Sequence, residues 1–179
     1  MDFRANLPVF AKKWVWNLKY GAGKYAMESA PTDAISQLSP LPVKARILEL
    51  GCGGGSLLRG LRGAGWPGHY RGVDISQKAI HEAEQFKEKG DCSWLVSDIE
   101  SFDSDEKWDA IAMIESVYYV KIDKVPEVLR RLAGMLMPGG YLLLRIHDFS
   151  KHSKYIEAID SLGWNVERQE NLLLIRPSR

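Results

Sequence analysis

Glycines and carboxylates are the residues of this chain whose spacing can do chemistry. The stretch "ILELGCGGGSLL" (47–58) carries four glycines in five positions, broken by Cys52, and Glu49 stands two residues before the first of them. Glycines between a strand and a helix let a ligand approach bare backbone and offer N–H donors at the helix start. Two further acids, Asp74 in "YRGVDIS" and Asp98 in "VSDIES", close the next two apolar runs. Asp74 lies about 20 residues beyond the glycines, where a carboxylate can accept both hydroxyls of a ribose.

Phosphate ligands fit this pattern poorly. No G-x-x-x-x-G-K-[ST] occurs; "GAGKY" (21–25) has Leu18 where the first glycine belongs and Tyr25 after the lysine. A dinucleotide turn begun by Gly51 and Gly53 meets Ser56 at its third glycine position. Glu49 would repel a pyrophosphate, whereas a carboxylate beside a cation is favourable. S-adenosylmethionine carries a sulfonium and an ammonium and no phosphate, so E-x-G-x-G-x-G (Glu49, Gly51, Gly53, Gly55) suits it better. On that reading Asp74 takes the ribose, Ile75 lies against the purine, and Asp98 accepts from the adenine amino group beside a backbone donor at Ile99. Cys52 fills the loop as a small packing residue.

Strands and helices must hold these groups together. "RILEL" (46–50) is short and continuously apolar, as a strand buried on both faces is. "SLLRGLRGAG" follows as a helix, then strand "YRGVDI" and helix "SQKAIHEAEQFKEKG", N-capped by Ser76, stopped by Gly90 and burying Ala79, Ile80, Ala83 and Phe86. "CSWLVSDI" and "WDAIAMIE" are further strands. Val125, Val128, Leu129, Leu132, Ala133 and Leu136 form a helical stripe, "MPGG" ends it, and "YLLLRI" is the fifth strand. A last helix, "SKYIEAIDSLG", precedes a hairpin of "WNVERQ" and "LLLIRP" that adds an antiparallel strand to the edge. This alternation predicts an α/β fold, a doubly wound parallel sheet with helices on both faces.

The 179 residues are about one domain's worth. A formal charge of +1 supplies no extended basic surface, which argues against a dedicated nucleic-acid binder. Two cysteines without metal-type spacing point to free thiols and a cytoplasmic setting. No stretch reaches the ~18 apolar residues of a spanning helix, so no membrane partner is expected. Residues 46–179 form the ligand-binding domain, and residues 1–45 read as a helical lid. In "WVWNLKYGAGKYAM" (14–27), Trp14, Trp16, Tyr20 and Tyr25 give flat surface to cover a ligand, and Lys19 and Lys24 give charge. "DSDEKWD" (103–109) reads as a solvated loop.

The motifs "ILELGCGGGSLL", "YRGVDIS", "SDIESF", "WDAIAMIESVYYV" and "LMPGGYLLLR" resemble the class I S-adenosylmethionine-dependent methyltransferases, motif by motif over residues 46–146. The resemblance implies a Rossmann-like sheet of order 3-2-1-4-5-7-6 with its seventh strand antiparallel, and S-adenosylhomocysteine as product. It also implies that Glu115, ending strand 4, lies beside the methionine moiety.

Methyl transfer is an in-line displacement at carbon, and holding the nucleophile in line supplies much of the acceleration. A base near neutral pKa helps where the acceptor must lose a proton. The acceptor belongs outside the C-terminal ends of strands 4 and 5, among Glu115, Ser116, Tyr118, Tyr119, His147 and Asp148. His147 is the candidate base or orienting group; Tyr118 and Tyr119 are candidate contacts or walls. Glu115, His147 and Asp148 depart from the ligand set of metal-assisted catechol-type enzymes, and no metal is expected. His69, His81 and His152 fall in turns or on a surface helix and receive no role. "IESVYY" lacks the paired prolines of exocyclic-amine DNA methyltransferases, and neither cysteine follows a proline. The expectation is a methyltransferase acting on oxygen or nitrogen of a small molecule. The alternatives are an RNA or protein methyltransferase gripping substrate with its N-terminal arm, or a cofactor-binding module without turnover. Oligomeric state is left open.

Overall fold

A computed structural model describes residues 3–22, 30–85 and 91–178. Strand β1 (Arg46–Leu50) is buried along nearly its whole length because both its faces are covered. Leu48 and Leu50 point into one core cluster and Ile47 into the other. Parallel neighbours are β2 (His69–Asp74) and β4 (Trp108–Ile114), followed outward by β3 (Cys92–Val96) and β5 (Leu136–Arg145). Strands β6 (Asn165–Gln169) and β7 (Leu172–Arg176) complete a seven-stranded sheet of order β3-β2-β1-β4-β5-β7-β6. The antiparallel strand is β7, one place in from the edge, and β6 forms the edge itself. Their turn places Glu170 in the left-handed region at φ 44°.

Helix α1 (Val9–Gly21) follows a short 3-10 turn, and α2 (Thr32–Leu38) completes the helical N-terminal segment. Helices α3 (Ser56–Gly63) and α4 (Gln77–Glu84) follow β1 and β2, and α5 (Val125–Gly134) and α6 (Ser153–Asp160) flank β5. One core cluster joins α5 and α6 to the sheet through Val128, Leu132, Tyr155 and Ile159. The other holds Leu38 of α2 and Leu57, Leu58 and Leu61 of α3. Ser76 caps α4 as expected, its Oγ accepting from the Ala79 N–H at 3.2 Å. Phe86 and Gly90, assigned to that helix and its stop, lie outside the described residues, as do Lys24 and Tyr25.

Two local expectations are corrected. "MPGG" does not end the helix, which stops at Gly134; it lies within β5. Trp108 pairs with Leu136 but Ala110 with Tyr141, so the extra residues bulge out before regular pairing resumes. "DSDEKWD" is not simply a solvated loop either. Glu106 ion-pairs with both Arg46 and Arg71, and Trp108 opens β4 fully buried.

Candidate active site

The C-terminal ends of β1, β2 and β4 open into a cavity of about 610 Å³, covered on one side by α1. Backbone forms its floor. Gly51 and Cys52 donate their N–H groups to the Val73 carbonyl at 2.7 and 3.0 Å, which ties the glycine turn to β2. Gly51, Gly53 and Gly55 have φ of 80°, 52° and 81°, a region side chains avoid. A Cβ at Gly51 would meet the Ser116 Cβ at 2.5 Å. Ser116 is itself fixed by donating to the Leu50 carbonyl at 2.6 Å.

Asp74 sits where the spacing placed it, against this turn. One carboxylate oxygen accepts from the Gly53 N–H at 3.0 Å, the other from the Ser76 N–H at 2.8 Å. Each keeps a lone pair for a further donor. Burial pushes this carboxyl up to about 6, against the opposing pull of the backbone N–H groups. Asp98, Ile75 and Ile99 also border the cavity. Burial raises the Asp98 carboxyl, partly offset by the Lys12 ammonium. Glu49 borders the cavity but is buried, accepting from the Tyr70 hydroxyl. Cys52 is a buried thiol whose pKa burial pushes well up, in keeping with packing rather than reactivity.

At the other end, side chains replace backbone. Glu115 is in the left-handed region at φ 52°. Its carboxylate accepts from Arg145, from the Tyr118 hydroxyl at 2.7 Å and from the His147 N–H at 3.1 Å. Arg145 in turn grips both oxygens of Asp33 on α2, at 2.7 and 2.9 Å. His147 lines the cavity at an exposed rim position, and Tyr118 and Tyr119 wall it. Asp148 is turned to its own loop, accepting from Ser150 and Lys151. No group of three or more metal-ligating side chains is assembled among the described residues.

His152 lies in a turn, as the sequence placed it, but not in solvent. It is buried, its ring stacked on Tyr118 at 4.4 Å and 14°, and burial lowers its pKa. The N-terminal cover is also sorted differently. Trp16 and Tyr20 face the cavity, whereas Trp14 is 66% exposed and outside its lining. Lys12 and Arg145 were missed. Lys12 is buried, donating to Glu100 at 2.6 Å and to the Tyr119 carbonyl at 3.2 Å. Its signal was its place four and eight residues before Trp16 and Tyr20, on one helix face. Arg145 announced itself as a charge interrupting the apolar run "YLLLRI".

Four acids and two bases border the cavity, Glu49, Asp74, Asp98 and Glu115 against Lys12 and Arg145, so it presents net negative charge. Both bases are further neutralised by Glu100 and Asp33. The arrangement suits a cation bearing hydroxyls and disfavours a pyrophosphate.

Known proteins share this architecture. The chain is 27% identical over 173 residues to a ubiquinone biosynthesis O-methyltransferase of Rickettsia conorii, covering 87% of this chain and 58% of that protein. It is 33% identical over 101 residues to nodulation protein S of Rhizobium tropici, covering 55% of this chain and 42% of that one. The chain thus spans about half the length of the curated relatives it matches. The N-methyltransferase NodS of Bradyrhizobium japonicum, solved with S-adenosylhomocysteine, superposes at a TM-score of 0.66 with 19% identity, over 85% of this chain and 90% of that one. DhpI, in a complex with SAM and HEP, superposes at 0.73 with 16% identity, over 94% and 97%. A sequence model of the methyltransferase domain matches residues 24–176, from the N-terminal segment through the last strand, and this chain belongs to that family.

Proposed function

We propose that this chain is an S-adenosylmethionine-dependent methyltransferase acting on oxygen or nitrogen of a small-molecule acceptor. The observation that carries the reading is Asp74. It is a buried carboxylate with both oxygens fixed by backbone N–H groups, beside a left-handed glycine turn, in a cavity of net negative charge. That pair of acceptor oxygens fits the ribose hydroxyls of a cationic nucleoside. Asp98 and the Ile99 N–H would serve the adenine edge, Ile75 its face, and Gly51 and Glu115 the methionine end.

S-adenosylmethionine supplies an electrophilic methyl group on a sulfonium that leaves readily. The chain's own work is positioning and exclusion of water. Arg145 holds Glu115, and Glu115 holds Tyr118 and the His147 backbone, so the acceptor end of the cavity is braced before any acceptor arrives. His147, at the rim, takes the acceptor's proton or orients its lone pair. Trp16 and Tyr20 of α1 close over this end as a lid, Trp16 lying edge-on to Tyr119. Free thiols at Cys52 and Cys92 accord with a reducing, cytoplasmic setting.

The test is calorimetry followed by transfer of labelled methyl to a panel of phenols, carboxylic acids and amines. S-adenosylhomocysteine should bind while NADH and ATP do not, and His147→Ala should lower kcat by about 10²-fold or more on the accepted substrate. Retention of NADH or ATP in place of the sulfonium compound would remove the assignment. Binding without turnover across the panel, with His147→Ala indifferent, would leave a cofactor-binding module.

A further inference from the structure

Two carboxylates and one ammonium meet where α1 reaches the loop after β3. Lys12 is only 4% exposed, and a lysine is almost never buried that far without a partner. Its Nζ donates to Glu100 at 2.6 Å and to the Tyr119 carbonyl at 3.2 Å. Glu100 follows Asp98 by two residues, and Lys12 and Asp98 border the same cavity while Glu100 stands outside its lining. The Lys121 N–H, at 3.1 Å, holds Glu100 from the β4 side. Arg131 of α5 fixes the loop's backbone, donating to the Ile99 and Phe102 carbonyls at 2.9 Å each.

Charge at Asp98 decides which base the loop can read. The 6-amino group of adenine donates, so it needs an ionised carboxylate to accept it. An oxo-purine presents a carbonyl oxygen at the same position, which a carboxylate repels and a protonated carboxyl can bond. Burial raises the Asp98 carboxyl, the Lys12 ammonium pulls it down and Glu100 pushes it up. Removing the ammonium would leave Glu100 acting on Asp98 as a like charge.

We propose that Lys12 is a positioning residue for base recognition: from α1 it holds Glu100 and keeps Asp98 an acceptor, so that the cavity takes adenine in preference to an oxo-purine. The proposal rests on the reading of Asp98 as the adenine contact of an S-adenosylmethionine site. It gives α1 a second task, since the helix that covers the acceptor end also sets the charge at the base.

Calorimetry of the full chain with S-adenosylhomocysteine and S-inosylhomocysteine tests it, at about pH 6, low enough for a raised carboxyl to show. The ratio of the two affinities cancels whatever happens at the ribose. The wild type should bind the adenosine compound at least about tenfold tighter. Lys12→Met should lower that ratio at least about threefold, and Lys12→Arg, which restores a cation, should recover it. Glu100→Gln should raise the ratio, because it removes the like charge and keeps an oxygen for Lys12. A loop that is merely loosened would lower the ratio in both Lys12→Met and Glu100→Gln. That common fall overturns the proposal, as does an unchanged ratio in Lys12→Met. If Lys12→Met does not fold, Glu100→Gln decides: a raised ratio supports the proposal, and an unchanged or lowered one overturns it. A wild type that binds both compounds equally also overturns it while leaving the cofactor reading in place. Binding of neither compound removes the cofactor reading and the proposal together.

Discussion

Around the glycine turn the cavity wall is peptide: Gly51, Cys52 and Gly53 are fixed to β2 through the Val73 carbonyl and the Asp74 carboxylate. At the far end it is side chain, with Glu115, Arg145 and Asp33 linked across β4, β5 and α2, and Trp16 and Tyr20 coming from α1. The first wall follows from one local stretch of sequence, because strand tips and a left-handed turn leave the chain little choice. The second requires four separate elements to meet, so exchanging any one side chain can reshape it without disturbing the sheet. A common ligand suits the rigid wall, and a variable acceptor suits the assembled one. The contrast predicts that damage at the glycine turn falls on folding and cofactor together, and damage at the far wall on the acceptor.

The largest effect belongs to Gly51→Ala. A left-handed alanine costs about 1–2 kcal/mol, and forcing its Cβ towards Ser116 adds about 1–3 kcal/mol of overpacking. Loss of about 2–5 kcal/mol in urea unfolding is expected, with weakened S-adenosylhomocysteine binding; an unchanged midpoint would show the turn to be less rigid than described.

Asp74→Ala should separate the two consequences. Losing charge-assisted hydrogen bonds to the ligand lowers S-adenosylhomocysteine affinity by about 1–3 kcal/mol. Stability at neutral pH should suffer less, since a buried charge is removed along with its bonds. The same residue fixes a pH dependence. Its carboxyl is raised from the ordinary 3.8 to about 6 in the fold, so the folded chain holds a proton that the unfolded chain has released. Asp74 therefore favours folding below pH 4 and loses that advantage as pH rises to about 6. Ligand binding runs the other way, because ribose hydroxyls donate to the ionised form. Affinity measured by calorimetry should fall about tenfold per unit below pH 6 in the wild type. A flat profile would mean that Asp74 stays ionised in the free protein.

Sequence made the rigid wall readable for the same reason that it is rigid. Glu49, Gly51, Asp74 and Asp98 lie at the ends of apolar runs, and strand order carries each of those ends to one edge of the sheet. Partners across the chain were not readable. His152 looks like a loop residue until Tyr118, from the other side of β5, stacks on it. Arg145 and Asp33 are 112 residues apart, and no local pattern joins them. "MPGG" carries the residues of a turn, and pairing with β4 overrode that local preference by absorbing them as a bulge. In α1 the two apolar faces merge into one aromatic-rich string, and only burial shows that Trp16 faces in and Trp14 out.

The smallest effect sharpens the comparison most, because it falls on the join between the two walls. Lys12 reaches from α1 to Glu100, in the loop after β3, and to the Tyr119 carbonyl after β4. Methionine in its place keeps the length and apolar stem but removes the ammonium. Glu100 retains the Lys121 N–H at 3.1 Å and remains partly solvated, with 20% of its side chain exposed. The loss of stability should therefore stay near about 1 kcal/mol, well below that of stranding a fully buried charge. Cofactor affinity should change little at the ribose, since neither Asp74 nor the glycine turn touches Lys12, and fall modestly at the adenine edge, where the ammonium no longer favours the ionised Asp98. Turnover should fall more than stability, because α1 loses its polar tie to Glu100 and Tyr119, is left with that of Asn17 to Ser76 and Lys78, and holds Trp16 less firmly over the acceptor. Equal loss of cofactor affinity and turnover in Lys12→Met would mean that α1 belongs to the rigid wall, and that the division between the two ends lies elsewhere.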